Sequence, residues 1–395
     1  MNDTAPETAV GELAARLNVM AKQSNAEPVT GRILGSDIVA DRPSPAADVS
    51  AMDGYAIRLS DLDRDPVPVT GESVPGSPPP RMTEGGVVRI FTGAIVPDAC
   101  EAVVKREDIE ETEHEIQFRA SALQTRSGEN IRRAGENAST GSVVLRGGVK
   151  LDAAKAAVMA NFGAYQADWF APVRLAILTT GDEVGRFQSV PPEPWQLRNS
   201  NAVSLTSLVS AHPWIEVIAV EHCRDHRDAL AETVAQCMKT SDAIWVTGGV
   251  SKGDYDYVPE VIAENGGKIV FHGLPIRPGK PILGAATDEG KLLLGLPGNP
   301  VSATIGAMRF GMPLLAKMSG QTDWNPPRPV VRLQNAGRKT LPLHWMRLVK
   351  LVGQGVAEPV QSQGSGDLVS LGQSDGFIEV PSGEAGQGPW PYYAW

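Results

Sequence analysis

Three glycine-bearing loops hold the residue types best suited to chemistry: Thr179-Thr180-Gly181-Asp182-Glu183, Thr247-Gly248-Gly249-Val250-Ser251 and Leu296-Pro297-Gly298-Asn299-Pro300-Val301-Ser302. Each follows an apolar run that reads as a strand. Glycine lets backbone N–H groups come close to an anion, and a following helix adds free N–H groups and partial positive charge. The combination suits a phosphate or another oxyanion. Any one loop also reads as an ordinary strand-to-helix turn. Asp182 and Glu183 lie in the first loop, and Asp254 and Asp256 follow the second. Carboxylates beside a phosphate point to a shared hard cation such as Mg²⁺, which takes oxygen ligands from both. A turn-capping role is the other reading of Asp182.

Cations occur in two turns. Arg277-Pro278-Gly279-Lys280-Pro281 sets two of them three residues apart between prolines. This is a stiff arrangement that suits an anion clamp, with solvated surface charge as the alternative. Asn130-Ile131-Arg132-Arg133, followed by Gly135-Glu136, is a second basic turn of lower specificity. Ser50-Ala51-Met52-Asp53-Gly54-Tyr55 puts an acid between an apolar sulfur residue and a glycine–aromatic pair, which is unusual for a purely structural turn. His222 and His226 flank Arg224 and Asp225 with no third ligand nearby, so they read as surface polar residues rather than a metal site. Cys100, Cys223 and Cys237 are odd in number and lack a C-x-x-C pair, which predicts buried thiols.

These loops need a scaffold. From residue 173 onward, strands (174–179, 215–220, 242–247, 291–295) alternate with helices (201–211, 227–240, 258–264, 301–318), predicting a parallel sheet covered on both faces. In such a sheet the loops after the strands gather at the carboxyl edge, where ligands bind. Residues 7–23 carry Val10, Leu13, Leu17 and Met20 at helical spacing. A strand-like stretch over 29–40 follows. Residues 45–135 read as a small β domain with strands at 87–91, 102–104 and 115–119 and an exposed loop over 75–80. A helix over 151–162 would pack on the N-terminal helix, making the β domain an insertion. Beyond the Pro-rich 324–329, strands at 330–333, 345–352 and 377–380 predict a small β barrel or sheet. The aromatic tail from Trp390 to Trp395 reads as packed.

The 395 residues are too many for one core, so two to four domains are expected. The net charge of −10 and the absence of a Lys/Arg block argue against a generic nucleic-acid binder. An anionic ligand would therefore be held by local cations. The N-terminus has neither a basic nor an apolar signal region, and no stretch approaches the ~18 apolar residues of a membrane span. These features predict a cytoplasmic protein without membrane partners.

Taken in order, the motifs resemble the MoeA family, the molybdopterin molybdenumtransferases, to which the gephyrin E domain is related. The resemblance runs through nearly the whole chain. It rests on the 50–55, 130–136, 180–183 and 278–281 segments, on Arg89-Ile90-Phe91-Thr92-Gly93-Ala94, on Gly248-Gly249-Val250-Ser251 with Asp256-Tyr257, and on Leu296 to Ala303. It implies a multi-domain α/β fold whose central parallel-sheet domain (172–322) resembles molybdopterin adenylyltransferases. An N-terminal helical linking region (1–44 with 136–171), an inserted β domain (45–135) and a C-terminal β-barrel-like domain (323–395) would complete it. The implied activity is insertion of molybdate into adenylylated molybdopterin, with AMP released with the help of Mg²⁺ or a similar divalent cation. The implied state is a homodimer, with a molybdopterin adenylyltransferase or client molybdoenzymes as protein partners.

The resemblance assigns roles residue by residue. Asp53 and Thr92 match catalytic positions that face the partner subunit's cleft. Glu183 and Asp256 match acidic catalytic positions near metal and phosphates. Gly181, Asp182, Gly248, Gly249, Ser251, Gly298 and Asn299 belong to the substrate-binding loops. Arg277, Lys280, Ser302, Arg347 and Ser365 match the molybdate-holding set, and Pro281 is a further substrate-binding position. Arg277 replaces the usual Lys and keeps its charge. Asn137 and Asn199 stand where relatives usually have Asp. A neutral amide offers a cation only a carbonyl oxygen, so weaker metal binding is expected. Two rival readings stand beside the enzyme, the first of them motivated by that substitution. One is a non-catalytic relative that binds the pterin cofactor or scaffolds a client molybdoenzyme. The other is pterin adenylylation by the central domain alone.

Overall fold

The structure is a computed structural model, and it describes residues 4–185, 191–251, 253 and 256–395, Asn25 by its backbone only. Asp254 lies outside the described residues. The chain divides into two compact units. The first comprises Met1–Ser36, Gly147–Ala156 and Tyr165–Trp395. The second comprises Asp37–Arg146 and Ala157–Ala164.

A six-stranded sheet organises the first unit, in the order Ile215–Cys223, Val173–Thr180, Ala243–Thr247, Leu292–Leu296, Leu283–Ala286, Lys268–His272. The first four strands are parallel, Leu283–Ala286 runs antiparallel to them, and Lys268–His272 runs antiparallel to Leu283–Ala286. The four strands expected from the alternation form its parallel part, and two further strands make the sheet mixed. Of the two further strands, Lys268–His272 carries Ile269, Val270 and Phe271, whereas Leu283-Gly284-Ala285-Ala286 has no β-branched residue, and a Cβ added at Gly284 would meet the Phe271 ring at 2.4 Å.

Alternation along the central strand separates two cores. Leu175 and Ile177 join Trp245, Leu205 and Leu294 on one face. Ala176 and Leu178 join Ile244, Leu230 and Val261 on the other. A strand covered on both faces reads as a continuous apolar run, as Val173–Thr180 does. The helices Arg227–Thr240 and Val258–Glu264 fall where the sequence puts them. The expected long helix runs from Pro300 to Met318 but contains a π-helical turn at Ala307–Gly311.

Two N-terminal expectations are revised. The helix covers only Pro6–Ala14. Backbone bonds from Asn18 to Gly290 and from Met20 to Met318 then draw the chain away, and Lys22–Ala26 pairs as a strand with Ala167–Phe170. Its buried residues Val10 and Leu13 share a core with Phe271 and Leu315. The strand expected over 29–40 is mostly single bridges at Ile33 and Leu34, with a two-residue strand Ile38–Val39.

The C-terminal strands close on themselves. His344–Gly353, Val356–Pro359, Val330–Leu333, Trp390–Ala394 and Gly376–Val380 form a ring in which the last pairs back to the first, a five-stranded barrel. Trp390, Tyr392 and Tyr393 are buried in it. Arg309, in the π-helical turn, reaches Glu379 of the barrel at 2.7 Å and Glu7 at 2.8 Å. Glu379 also pairs with His344 Nδ1 at 2.8 Å and accepts the Tyr393 hydroxyl at 3.1 Å.

The second unit is built on a six-stranded sheet ordered Ala102–Lys105, Gly54–Ile57, Val87–Ile90, Val67–Ser73, Glu115–Phe118, Ile109–Glu111. Tyr55, Ile57, Val87 and Val104 lie in its core. Gly54 is demanded by packing: a Cβ there would sit 1.9 Å from the Val104 carbonyl oxygen.

Candidate functional site

The loops that follow the four parallel strands meet around one cavity of about 830 Å³. Its walls include Gly181, Glu183, Gly248, Gly249, Ser251, Asp256, Gly298 and Asn299. Gly248 has φ +90, and a Cβ there would lie 2.4 Å from Thr180 Oγ1, so the loop closes this tightly only with glycine. Asn201 ties two loops together, its Nδ2 donating to the Gly298 carbonyl at 2.8 Å and to Thr247 Oγ1 at 3.3 Å. Asn199 caps the helix Ser200–Ser210 by accepting from the Ala202 N–H at 3.0 Å, while its Nδ2 donates to Thr179 Oγ1 at 2.8 Å. Thr179 Oγ1 also lies 3.0 Å from His222 Nδ1.

Three carboxylates line this cavity, those of Glu183, Asp225 and Asp256, against one guanidinium, Arg198, among the described residues. Asp256 accepts from the Gly253 N–H at 2.5 Å. Asp182 does not line the cavity. It exchanges backbone-to-carboxylate hydrogen bonds with Asp225, each 3.3 Å long. Burial pushes the Asp225 carboxyl up, and the negative charges of Glu183 and Asp182 add to this. A cation placed among these groups would relieve that repulsion. No three His, Cys, Asp or Glu side chains among the described residues form a closed metal site. An all-oxygen set of one or two carboxylates, completed by a ligand phosphate, is the usual way Mg²⁺ is held, and Glu183 with Asp256 fits it.

A second cavity of about 780 Å³ has the opposite character. Arg277, Lys280, Lys339 and Arg347 line it with no carboxylate among the described residues, and Ser302 and Ser365 add hydroxyls. Ser302 is 2 % exposed. Arg347 is half-buried, and burial works against its charge. The Ala336 carbonyl accepts from it at 3.1 Å, and its guanidinium lies 4.4 Å from the centre of the Trp345 ring. The two cavities share Pro281, Pro297 and Asn299.

Asp53 and Thr92 form a pair in the second unit. Asp53 Oδ1 accepts from both the Thr92 N–H and its hydroxyl, each at 2.7 Å. Those two bonds, from the backbone first, hold the Asp53 carboxyl below the usual carboxylate range, with Arg106 and Arg89 contributing. Asn137, also in this unit, accepts from Arg132 at 3.1 Å. Half-buried His222 faces Thr179, and His226 is exposed. Cys223 and Cys237 are buried and Cys100 is half-buried.

Sequence reasoning missed Asp225, Arg198, Lys339 and Trp345 as cavity residues. Asp225 had a visible signal, its place at the end of a predicted parallel strand. Lys339 had none, because it lies in a polar loop without glycine-motif spacing.

An α/β core with an acid-lined cavity beside a cation-lined one suits a class of proteins that handle phosphate-bearing ligands and oxyanions. Comparison narrows the class. Residues 5–163 match the family described as MoeA N-terminal region (domain I and II), 176–317 the probable molybdopterin binding domain, and 332–388 the MoeA C-terminal region (domain IV). The molybdopterin molybdenumtransferase of Nostoc sp. is 32 % identical, over 90 % of this chain and 83 % of its own. That of Bacillus subtilis is 30 % identical, over 95 % and 91 %. The crystal structure of the molybdopterin biosynthesis moeA protein from Pyrococcus horikoshii OT3 superposes with a TM-score of 0.80 at 24 % identity, covering 99 % of this chain and 98 % of that one, a likeness of fold. The chain belongs to the MoeA family, the molybdopterin molybdenumtransferases.

Proposed function

We propose that this chain, by family an enzyme of molybdenum cofactor biosynthesis, inserts molybdate into adenylylated molybdopterin and releases AMP, with a divalent cation and as a homodimer. The observation that carries the reading is the pair of adjoining cavities of opposite charge that share Pro281, Pro297 and Asn299. In this reading the glycine loops at Gly181, Gly248 and Gly298 take the nucleotide phosphates, since each lets backbone approach an anion closely. Glu183 and Asp256 hold the cation, which when bound would neutralise the phosphoanhydride and polarise its phosphorus. Arg277, Lys280 and Arg347 surround a tetrahedral dianion, and Ser302 and Ser365 donate hydroxyl hydrogen bonds to it. The neighbouring walls then keep molybdate next to the pterin end of the same substrate, so the two reactants meet without diffusion. Asp53, kept ionised by Thr92, acts from the second unit toward the partner subunit's cleft.

Purified protein supplied with adenylylated molybdopterin should release AMP only when molybdate and Mg²⁺ are both present. Equal release without molybdate would make the chain a simple hydrolase and end this reading.

A further inference from the structure

Beyond the five residues assigned to the oxyanion, one more cation faces the same cavity. Lys339 lines it, and its ammonium lies 5.6 Å from the centre of the Trp345 ring. The Arg347 guanidinium lies over that same ring at 4.4 Å. The loop that carries Lys339 also anchors Arg347, through the Ala336 carbonyl at 3.1 Å. Lys339 makes no ion pair among the described residues. Two like charges held by one indole repel each other, and in a cavity without a carboxylate nothing on the protein offsets that repulsion. A dianion would. The indole limits where each cation can go and thereby pre-positions both, since the quadrupole of the ring attracts them toward its faces.

Resting on the oxyanion reading above, we infer that Lys339 is a further oxyanion-binding residue, and that Trp345 is a positioning residue that holds Lys339 and Arg347 toward the cavity. Lys339 would thus add to the wall that carries Trp345 and Arg347, beside Arg277, whose strand pairs with Trp345. The chemical class of ligand is a tetrahedral dianion.

The test is isothermal titration of the full chain with molybdate. Lys339→Gln should weaken binding about fivefold or more, Lys339→Arg should restore most of it, and Trp345→Leu should weaken it with Lys339 intact. Raising the salt concentration should erode affinity less steeply in Lys339→Gln than in the parent, because one fewer charge is screened. Lys350, exposed on the barrel and outside the cavity, supplies the control, and Lys350→Gln should bind as the parent does. Circular dichroism melts of each variant establish that the fold is retained. If Lys339→Gln is folded and binds within twofold of the parent, the role of Lys339 is refuted while the oxyanion cavity stands. If the parent binds neither molybdate, tungstate nor sulfate, the cavity reading itself falls, and this inference with it.

Discussion

Asn199 donates from Nδ2 to Thr179 Oγ1 at 2.8 Å while its Oδ1 caps the next helix, so one amide joins a strand end to a helix start beside the acid-lined cavity. Both ends of the side chain are engaged in structure. Asn199→Ala should cost about 1 kcal/mol, the usual loss for an N-cap, read as a lower unfolding midpoint in urea. Asn199→Asp keeps the cap oxygen and adds a charge favoured at a helix N-terminus, and the Thr179 hydroxyl can turn to donate to it. That variant should unfold close to the parent midpoint and bind Mg²⁺ more tightly in a titration with AMP present. An Asn199→Ala variant as stable as the parent would contradict the capping role.

Gly54 follows Asp53 directly and lies against Val104. Because a Cβ there would meet backbone at 1.9 Å rather than a flexible side chain, Gly54→Ala must push two strands apart. The expected loss is roughly 2 kcal/mol or more, of the size seen for overpacked interiors. Limited proteolysis should show earlier cleavage within residues 37–146. Gly76, whose Cβ position is open but whose φ is +80, should tolerate Ala with a smaller loss.

Glu379 sets a pH dependence. Burial would raise its carboxyl, but the His344 hydrogen bond and the Arg309 charge hold it at about 2, against the ordinary 4.5. The ionised form is favoured in the folded state, so its stabilisation is complete above 4.5 and is lost as pH falls through that value toward 2. Unfolding midpoints should decline across this window. Glu379→Gln leaves Arg309 without its buried counter-charge and should cost roughly 3 kcal/mol at neutral pH. It should also flatten the decline below pH 4.5.

Arg347 is held in the second cavity by the Ala336 carbonyl and the Trp345 ring. Arg347→Ala removes a charged hydrogen-bond donor, so molybdate binding should weaken at least about tenfold. Titration calorimetry checks this. Arg277→Lys keeps the charge and should bind within a few-fold of the parent, since a tetrahedral anion does not require a planar fork.

The strands and helices that position the glycine loops were legible because their apolar runs are long and their breaks sharp. Val173–Thr180 and Arg227–Thr240 are examples. Leu283–Ala286 was not legible, since it is shaped by a ring packed over Gly284 and carries no β-branched or aromatic side chain, whereas the edge strand Lys268–His272 carries Ile269, Val270 and Phe271. The helix expected to reach residue 23 stops at Ala14, because backbone partners distant in sequence, Gly290 and Met318, compete for the segment. The site divides in the same way. Motif residues such as Gly248 and Lys280 could be read from spacing. Asp225 follows a strand that the pattern did show, whereas Lys339 reaches its cavity through barrel closure, which no local pattern records.

Asn299, with Pro281 and Pro297, borders both cavities. A substitution at any one of these three residues therefore alters both walls together, so neither cavity can be reshaped there without touching the other.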